Sequence, residues 1–273
     1  MRGISDTVKH LIFINLIVFA GAFFLGNKDL FFEWFALYFP HNDLFRPWQL
    51  VTHMFMHGGF EHILFNMFAL WMFGTTVERV MGQRKFLFFY LSCGLGAVFL
   101  SFVVYYFQVM PHLTDLQNAG FSDDLITKLM NLDIVRGDRF EGKLLFEKIG
   151  PLLEGYGLNA QSLNNDLFMD IFKLNTMNFQ SMVGASGAIM GVLVAFGMLF
   201  PEHKLMLIFL PIPIKAKYFI PAIIALDLFS ALTGVSIFSP SNTAYVAHIG
   251  GAITGFVIMY FWKKNQFDKY RWN

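Results

Sequence analysis

Six polar side chains interrupt otherwise apolar stretches, and their types can do chemistry. Ser186 stands in GASGAIMG, His248 in AYVAHIGG, and Glu61, His62 and Asn66 in FEHILFN, while Asp227 breaks IALDLFS. A serine hydroxyl becomes a nucleophile when a base takes its proton, and histidine is the usual base. An amide can donate to the oxyanion that develops when an acyl group is attacked. His62 and Asn66 are four residues apart, so a helix puts both on one face. Ser186 sits between Gly184 and Gly187, whose size lets backbones approach and clears room for a substrate carbonyl.

Each residue also has a plainer use. A lone serine in an apolar helix usually bonds back to its own helix. His62 and Asn66 could be hydrogen-bond partners between helices. Asp227 is expected to cap a helix or hydrogen-bond within a bundle, with a gate for substrate as its other use, and Glu61 is expected to face an interface. His53, His57 and His62 invite a zinc reading. There is no His-Glu-x-x-His pattern and no acidic ligand set, so the expectation is no metal, with these histidines holding a loop together by hydrogen bonds. No cofactor is implied. Cys93 is the only cysteine, which excludes an intrachain disulfide.

Composition says what must position these groups. Of 273 residues, 56% are hydrophobic and only 14% are charged, against about 25% charged in soluble domains. The apolar mass falls in six blocks, at 10–25, 60–77, 86–109, 182–200, 218–235 and 244–262. A bilayer span takes roughly 20 apolar residues, so the pattern predicts an all-α polytopic membrane protein, with thinning or snorkelling at the shorter spans. No small-residue cleavage site follows the first block, which is read as a retained span. The net charge of +1 gives no footprint for nucleic acid. LMLIFLPIPIK, 205–215, carries Pro211 and Pro213 and is expected to form a re-entrant or interfacial turn. FFEWFALYF, 31–39, is too short to span and is placed in the interface.

Basic residues gather on one set of flanks, from Lys9, Arg79, Arg84 and Lys85 to Lys204, Lys215, Lys217, Lys263 and Lys264, whereas the loop 236–243 carries no charge. The positive-inside rule then puts both termini in the cytoplasm. The organisation expected is a membrane core of three spans with the first outer loop (1–109), an extracytoplasmic helical insertion (110–181), and a core of three spans with a cytoplasmic tail (182–273). In the insertion, DDLITKLMNL, KLLFEKIGPLLEGYG and NNDLFMDIFKL have amphipathic spacing, predicting two or three short helices.

The second, fourth and sixth spans begin outside under this orientation. Ser186, His248, His62 and Asn66 fall about two to six residues past those starts, or about 3–9 Å deep at 1.5 Å per residue. Gly187, Gly191 and Ala195 form one small-residue stripe, and Gly251 and Gly255 another. Such stripes let helices pack closely, which would bring Ser186 within reach of His248.

The segments GASGAIMG, AHIGGAITG and HGGFEHILFN together resemble the signature segments of the rhomboid intramembrane serine proteases. The resemblance covers 48–109 and 182–262, with three motifs in the right order and with the right internal spacing. It implies a six-span rhomboid bundle and a serine endopeptidase that cleaves transmembrane proteins within the lipid bilayer. By resemblance Ser186 is the nucleophile and His248 the base of a dyad with no acidic third member. Asn66, His62 and the Ser186 N–H would stabilise the oxyanion, with Gly184 beside them at the substrate. Two positions depart from the pattern. Gln49 follows Trp48 where many members have arginine, with Arg46 nearby, and Met190 stands where some members place a tyrosine against the histidine. The expected location is a bacterial inner membrane. Competing functions are a non-proteolytic relative that binds membrane clients, and a small-solute transporter. A transporter would line a path through the bilayer with charge, whereas the polar groups here cluster near one face.

Overall fold

The structure is a computed structural model that describes residues 3–24, 28–136, 139–159, 163–207, 210–235 and 242–269. In chain order the helices are α1 (Asp6–Phe24), α2 (Lys28–Phe35), α3 (Gln49–Thr52), α4 (Phe60–Ala69), α5 (Thr75–Met81), α6 (Gln83–Asn118), α7 (Asp123–Met130), α8 (Gly142–Gly155), α9 (Asn165–Asn178), α10 (Ser186–Leu199), α11 (Ala216–Thr233) and α12 (Asn242–Lys269). The chain divides into two compact units. One comprises Met1–Ala36, Trp48–Ser101 and Met182–Asn273, and the other Leu37–Pro47 and Phe102–Ser181.

The first unit is built for lipid. Among the described residues, α1, α6, α11 and the Tyr245–Lys263 stretch of α12 are each long and apolar enough to cross a membrane. They expose large apolar side chains such as Phe13, Phe99, Leu232 and Phe256, the opposite of what water selects. The chain is a multi-pass membrane protein. The second apolar block is one unbroken helical run from α4 to α5, with a π-turn at Leu70–Gly74 between them. The fourth block is a helix of only 14 residues, α10, in which Gly187 to Phe196 are all buried. Ten consecutive buried residues leave no face for lipid, so α10 is the central element of its unit. The start of α1 is fastened from α5: the backbone N–H groups of Thr7 and Val8 each donate to the Glu78 carboxylate at 3.0 Å. Two donors that a helix N-terminus leaves unpaired are thereby satisfied.

The segment around Pro211 and Pro213, expected to be a re-entrant or interfacial turn, is an antiparallel ribbon, Lys204–Leu207 paired with Leu210–Lys215. The prolines are two residues apart, so their missing N–H groups fall on one side of the strand. In a two-stranded ribbon that side needs no donor. Glu202 ties the base of the ribbon together, with Lys215 at 2.7 Å and Lys217 at 2.5 Å. Those two hydrogen bonds hold the Glu202 carboxyl down at about 2. Most of the uncharged loop 236–243, and the chain beyond Lys269, lie outside the described residues.

The second unit has its own apolar core, with Leu116, Leu125, Leu129, Leu145, Ile149 and Leu174 nearly inaccessible. The three amphipathic stretches of the sequence fold as α7, α8 and α9. Ser122 caps α7 by accepting the Leu125 N–H, and Asn164 caps α9 by accepting the Leu167 N–H. Asn175 crosses the core to donate to the carbonyls of Leu129 and Leu132 at 3.0 and 2.8 Å. Residues 37–47, from the first outer loop, belong to this unit as well, through Asn42 donating to the Asn178 carbonyl at 2.8 Å.

Candidate active site

Ser186 is the first residue of α10, preceded by Ala185, which has no side chain to cap the helix. The first intrahelical bond of the turn is the Ile189 N–H to the Ala185 carbonyl. The N–H groups of Ser186 and its immediate followers thus lack a helical acceptor and carry the positive end of the helix dipole. An anion forming at Ser186 Oγ meets that field. The loop reaches the helix through Gly184, whose φ of +119° suits only glycine. Its N–H donates to the His53 carbonyl at 2.9 Å.

The space an added Gly184 Cβ would take is filled by His62, with Cε1 and Nε2 each 2.8 Å away and Ser186 Oγ at 3.7 Å. The Gly58 N–H lies 3.4 Å from His62 Nδ1. Nδ1 accepts there, so the ring proton is on Nε2, the nitrogen that faces Gly184. Asn66, one turn further along α4, is buried and donates one amide hydrogen to the His62 carbonyl at 3.0 Å. Its second N–H remains for another acceptor.

The two glycine stripes meet. A Cβ on Gly251 would lie 1.8 Å from the Gly187 carbonyl oxygen, and one on Gly255 would lie 2.7 Å from Gly191 Cα. Backbones come this close only where both helices lack side chains. A Cβ on Gly187 would meet Ala97 Cβ at 2.6 Å and the Ala247 carbonyl at 3.4 Å, so the space beside Gly187 serves packing and is not open to substrate. Ser186 precedes Gly187 by one residue and His248 follows Ala247 by one. Ser186 and His248 thus each lie one residue from this α10–α12 contact. No hydrogen bond joins Ser186 Oγ to His248 among the described residues. The His62 and His248 rings are close enough to interact electrostatically. Asp227, on α11, hydrogen-bonds within the bundle, one of the uses expected of it: its Oδ2 lies 3.0 Å from His248 Nδ1.

Around this centre the first outer loop is tied by hydrogen bonds. His53 Nδ1 lies 2.8 Å from the Gln49 carbonyl. Gln49 is fully buried and donates to the Glu33 carbonyl at 2.9 Å, while the Trp48 indole donates to the Trp34 carbonyl at 2.8 Å and stacks on its ring. An amide thus does the anchoring at the position where the family pattern has a guanidinium, and Arg46 instead donates to the nearby carbonyls of Asp43 and Phe45. His57 is buried edge-on to His62, with ring centroids 4.9 Å apart. Burial lowers His53 from 6.5 to about 4; burial and the charge of His62 lower His57 to about 3. Both are neutral at pH 7. Met190 is buried in the apolar core, and Glu61 is exposed. Among the described residues no group of three His, Cys, Asp or Glu is arranged to hold a metal ion.

The chain is similar in sequence to known proteins along most of its length. Over 262 residues, 93% of this chain, it is 27% identical to the human presenilin-associated rhomboid-like protein, mitochondrial, covering 48% of that protein. The rat protein of the same name matches over the same length at 27%. The chain spans about half the length of these relatives. A shorter stretch of 56 residues, 20% of this chain and 11% of the other, is 45% identical to rhomboid protease GluP of Bacillus subtilis. The Rhomboid domain model matches residues 45–122 and 159–265, which take in Ser186, His248, His62, Asn66 and Asp227, and the chain belongs to the rhomboid family.

Proposed function

We propose that this protein is an intramembrane serine endopeptidase that cleaves other membrane proteins in or near their transmembrane helices. Ser186 is the nucleophile and His248 the general base. The Ser186 N–H, the His62 Nε2–H and the free N–H of Asn66 receive the oxyanion, and Gly184 holds the substrate side of the site open to His62. The bundle has six spans, counting the run from α4 to α5 and the buried α10. Both termini lie on the basic, cytoplasmic side, and 110–181 faces outward. No cofactor takes part.

The observation that supports this reading is the α10–α12 crossing, where Gly187 and Gly251 meet backbone to backbone, one residue from Ser186 and three from His248. Further support comes from the uncapped helix start at the serine, since a developing oxyanion is stabilised by donors fixed in place beforehand. A helical substrate hides its carbonyls in its own hydrogen bonds, so it must unwind locally before attack. Short side chains and helix-weakening residues at the cut follow from that need.

A fluorophosphonate probe tests the reading on purified protein in detergent. The wild type is expected to be labelled on Ser186, with labelling and cleavage of a transmembrane substrate lost in Ser186→Ala and in His248→Ala, and both unaffected by a chelator. Labelling that survives in Ser186→Ala would overturn the assignment. A folded wild type that binds membrane clients but is neither labelled nor active would favour the non-proteolytic alternative.

A further inference from the structure

Asp227 is a carboxyl in an apolar helix, and the reaction described above leaves it without a task. Its side chain is only 4% exposed. An ionisable group at such a place is costly and needs a specific partner. The partner here is a ring nitrogen of the proposed base, with Asp227 Oδ2 3.0 Å from His248 Nδ1. α11 packs along α12, so both groups are held by helices.

An imidazole nitrogen at that distance from a carboxylate carries the proton and donates it. Nδ1–H therefore points at Asp227, and Nε2 is left with its lone pair. That is the tautomer required to accept the Ser186 proton. As the Ser186 Oγ–carbonyl bond forms, the hydroxyl proton passes to Nε2, the ring becomes positive, and the carboxylate stands beside it. The Nε2 proton then goes to the departing amine, and the ring returns to its starting form. Nδ1–H stays in place throughout. We infer that Asp227 is a positioning residue that fixes the tautomer and orientation of His248 and offsets the charge the ring acquires. The resemblance to the family implies a two-residue device; this chain adds an acidic third member. The assignment rests on reading His248 as the base.

A carboxylate that merely fastens α11 to α12 would have no stake in where the ring proton sits, so the test reads the proton. In protein with 15N-labelled histidine, His248 (identified by its loss in His248→Ala) is expected to carry its proton on Nδ1. Asp227→Leu removes the acceptor, and the proton should move toward Nε2. Fluorophosphonate labelling should then slow by about 10²–10⁴-fold, in the range that loss of a general base or its orienting acid produces. Asp227→Asn keeps the volume and can still accept Nδ1–H, so it should retain the wild-type tautomer. Labelling of this variant should slow by about tenfold or more, because the charge is gone. If the leucine variant does not fold, the asparagine variant carries the test. A wild-type His248 protonated on Nε2 would overturn the proposal, as would wild-type labelling rates in a folded Asp227 variant. A wild type that is never labelled would instead count against the protease reading. The tautomer would remain a measure of the pair.

Discussion

Gly251→Ala puts a single methyl group into the tightest contact of the membrane unit. The added Cβ would lie 1.8 Å from the Gly187 carbonyl oxygen and 2.6 Å from its carbon. Ordinary contact begins at 3.4 Å, so the helices must part or slide by about 1.6 Å. The obstacle is backbone, and no side-chain rotation relieves it. Overpacking of this kind costs about 1–3 kcal/mol of stability. The cost to chemistry should be larger in proportion. Gly187 directly follows Ser186, and Gly251 lies within one turn of His248, so the displacement shifts the proposed nucleophile relative to the proposed base. A misplacement near 1 Å costs about 10²-fold in rate. The assay is fluorophosphonate labelling in detergent, with thermal unfolding measured on the same samples. Labelling should fall by about 10²-fold or more while the protein remains folded. Gly155→Ala, where an added Cβ meets nothing within 4 Å, should change neither quantity. Wild-type labelling in a folded Gly251→Ala would show that this crossing does not hold the site, and the proposed function would lose its main support.

Other consequences follow from the loop that frames the site. Gln49→Ala removes the donor to the Glu33 carbonyl, a part-buried hydrogen bond, and should cost about 0.5–1.5 kcal/mol, seen as a lower unfolding temperature; unchanged stability would show that α2 is held without it. Acidification should destabilise the fold through His53 and His57, whose folded pKa values of about 4 and about 3 lie below the unfolded 6.5. Between those values the unfolded chain binds more protons, so stability is complete above pH 6.5 and is lost as pH falls toward 4. At 1.36 kcal/mol per pH unit His53 alone contributes about 3 kcal/mol of that loss. His53→Asn should reduce the slope, and a flat stability from pH 7 to 4.5 would refute the burial argument.

What the sequence made legible was what depends on local spacing. The glycine stripes on α10 and α12 follow from a repeat of four, and their meeting requires only that the two helices cross there. The three short helices of the insertion follow from amphipathic spacing in their stretches. The strand pairing at 204–215 was not legible because the two prolines were weighed only as helix breakers. Their shared side in an edge strand shows only once a partner strand is placed. The grouping of 37–47 with the second unit rests on Asn42 and Asn178, 136 residues apart, and no local pattern encodes that. Asp227 and His248 are 21 residues apart on different helices, so their pairing depends on how α11 is rotated about its axis. Mean apolarity does not report that rotation.

The departures from the family pattern connect with Asp227 through what an imidazole needs. A base must be held against rotation as well as placed near its serine. Some family members do this by resemblance with a tyrosine ring four residues after the nucleophile; here Met190 occupies that position, buried in the core. A thioether fills volume and packs well, but its flexible chain and weak acceptor sulfur orient a ring poorly. A hydrogen bond to a fixed carboxylate constrains the same ring in direction and in tautomer at once. With Asp227 supplying that constraint from α11, methionine on α10 has only to fill space. Gln49 follows similar reasoning at the loop, where one buried amide donating to the Glu33 carbonyl stands in place of a charged side chain that would have to be desolvated. Each substitution is tolerable because a neighbouring helix provides the hydrogen bond that orders the site.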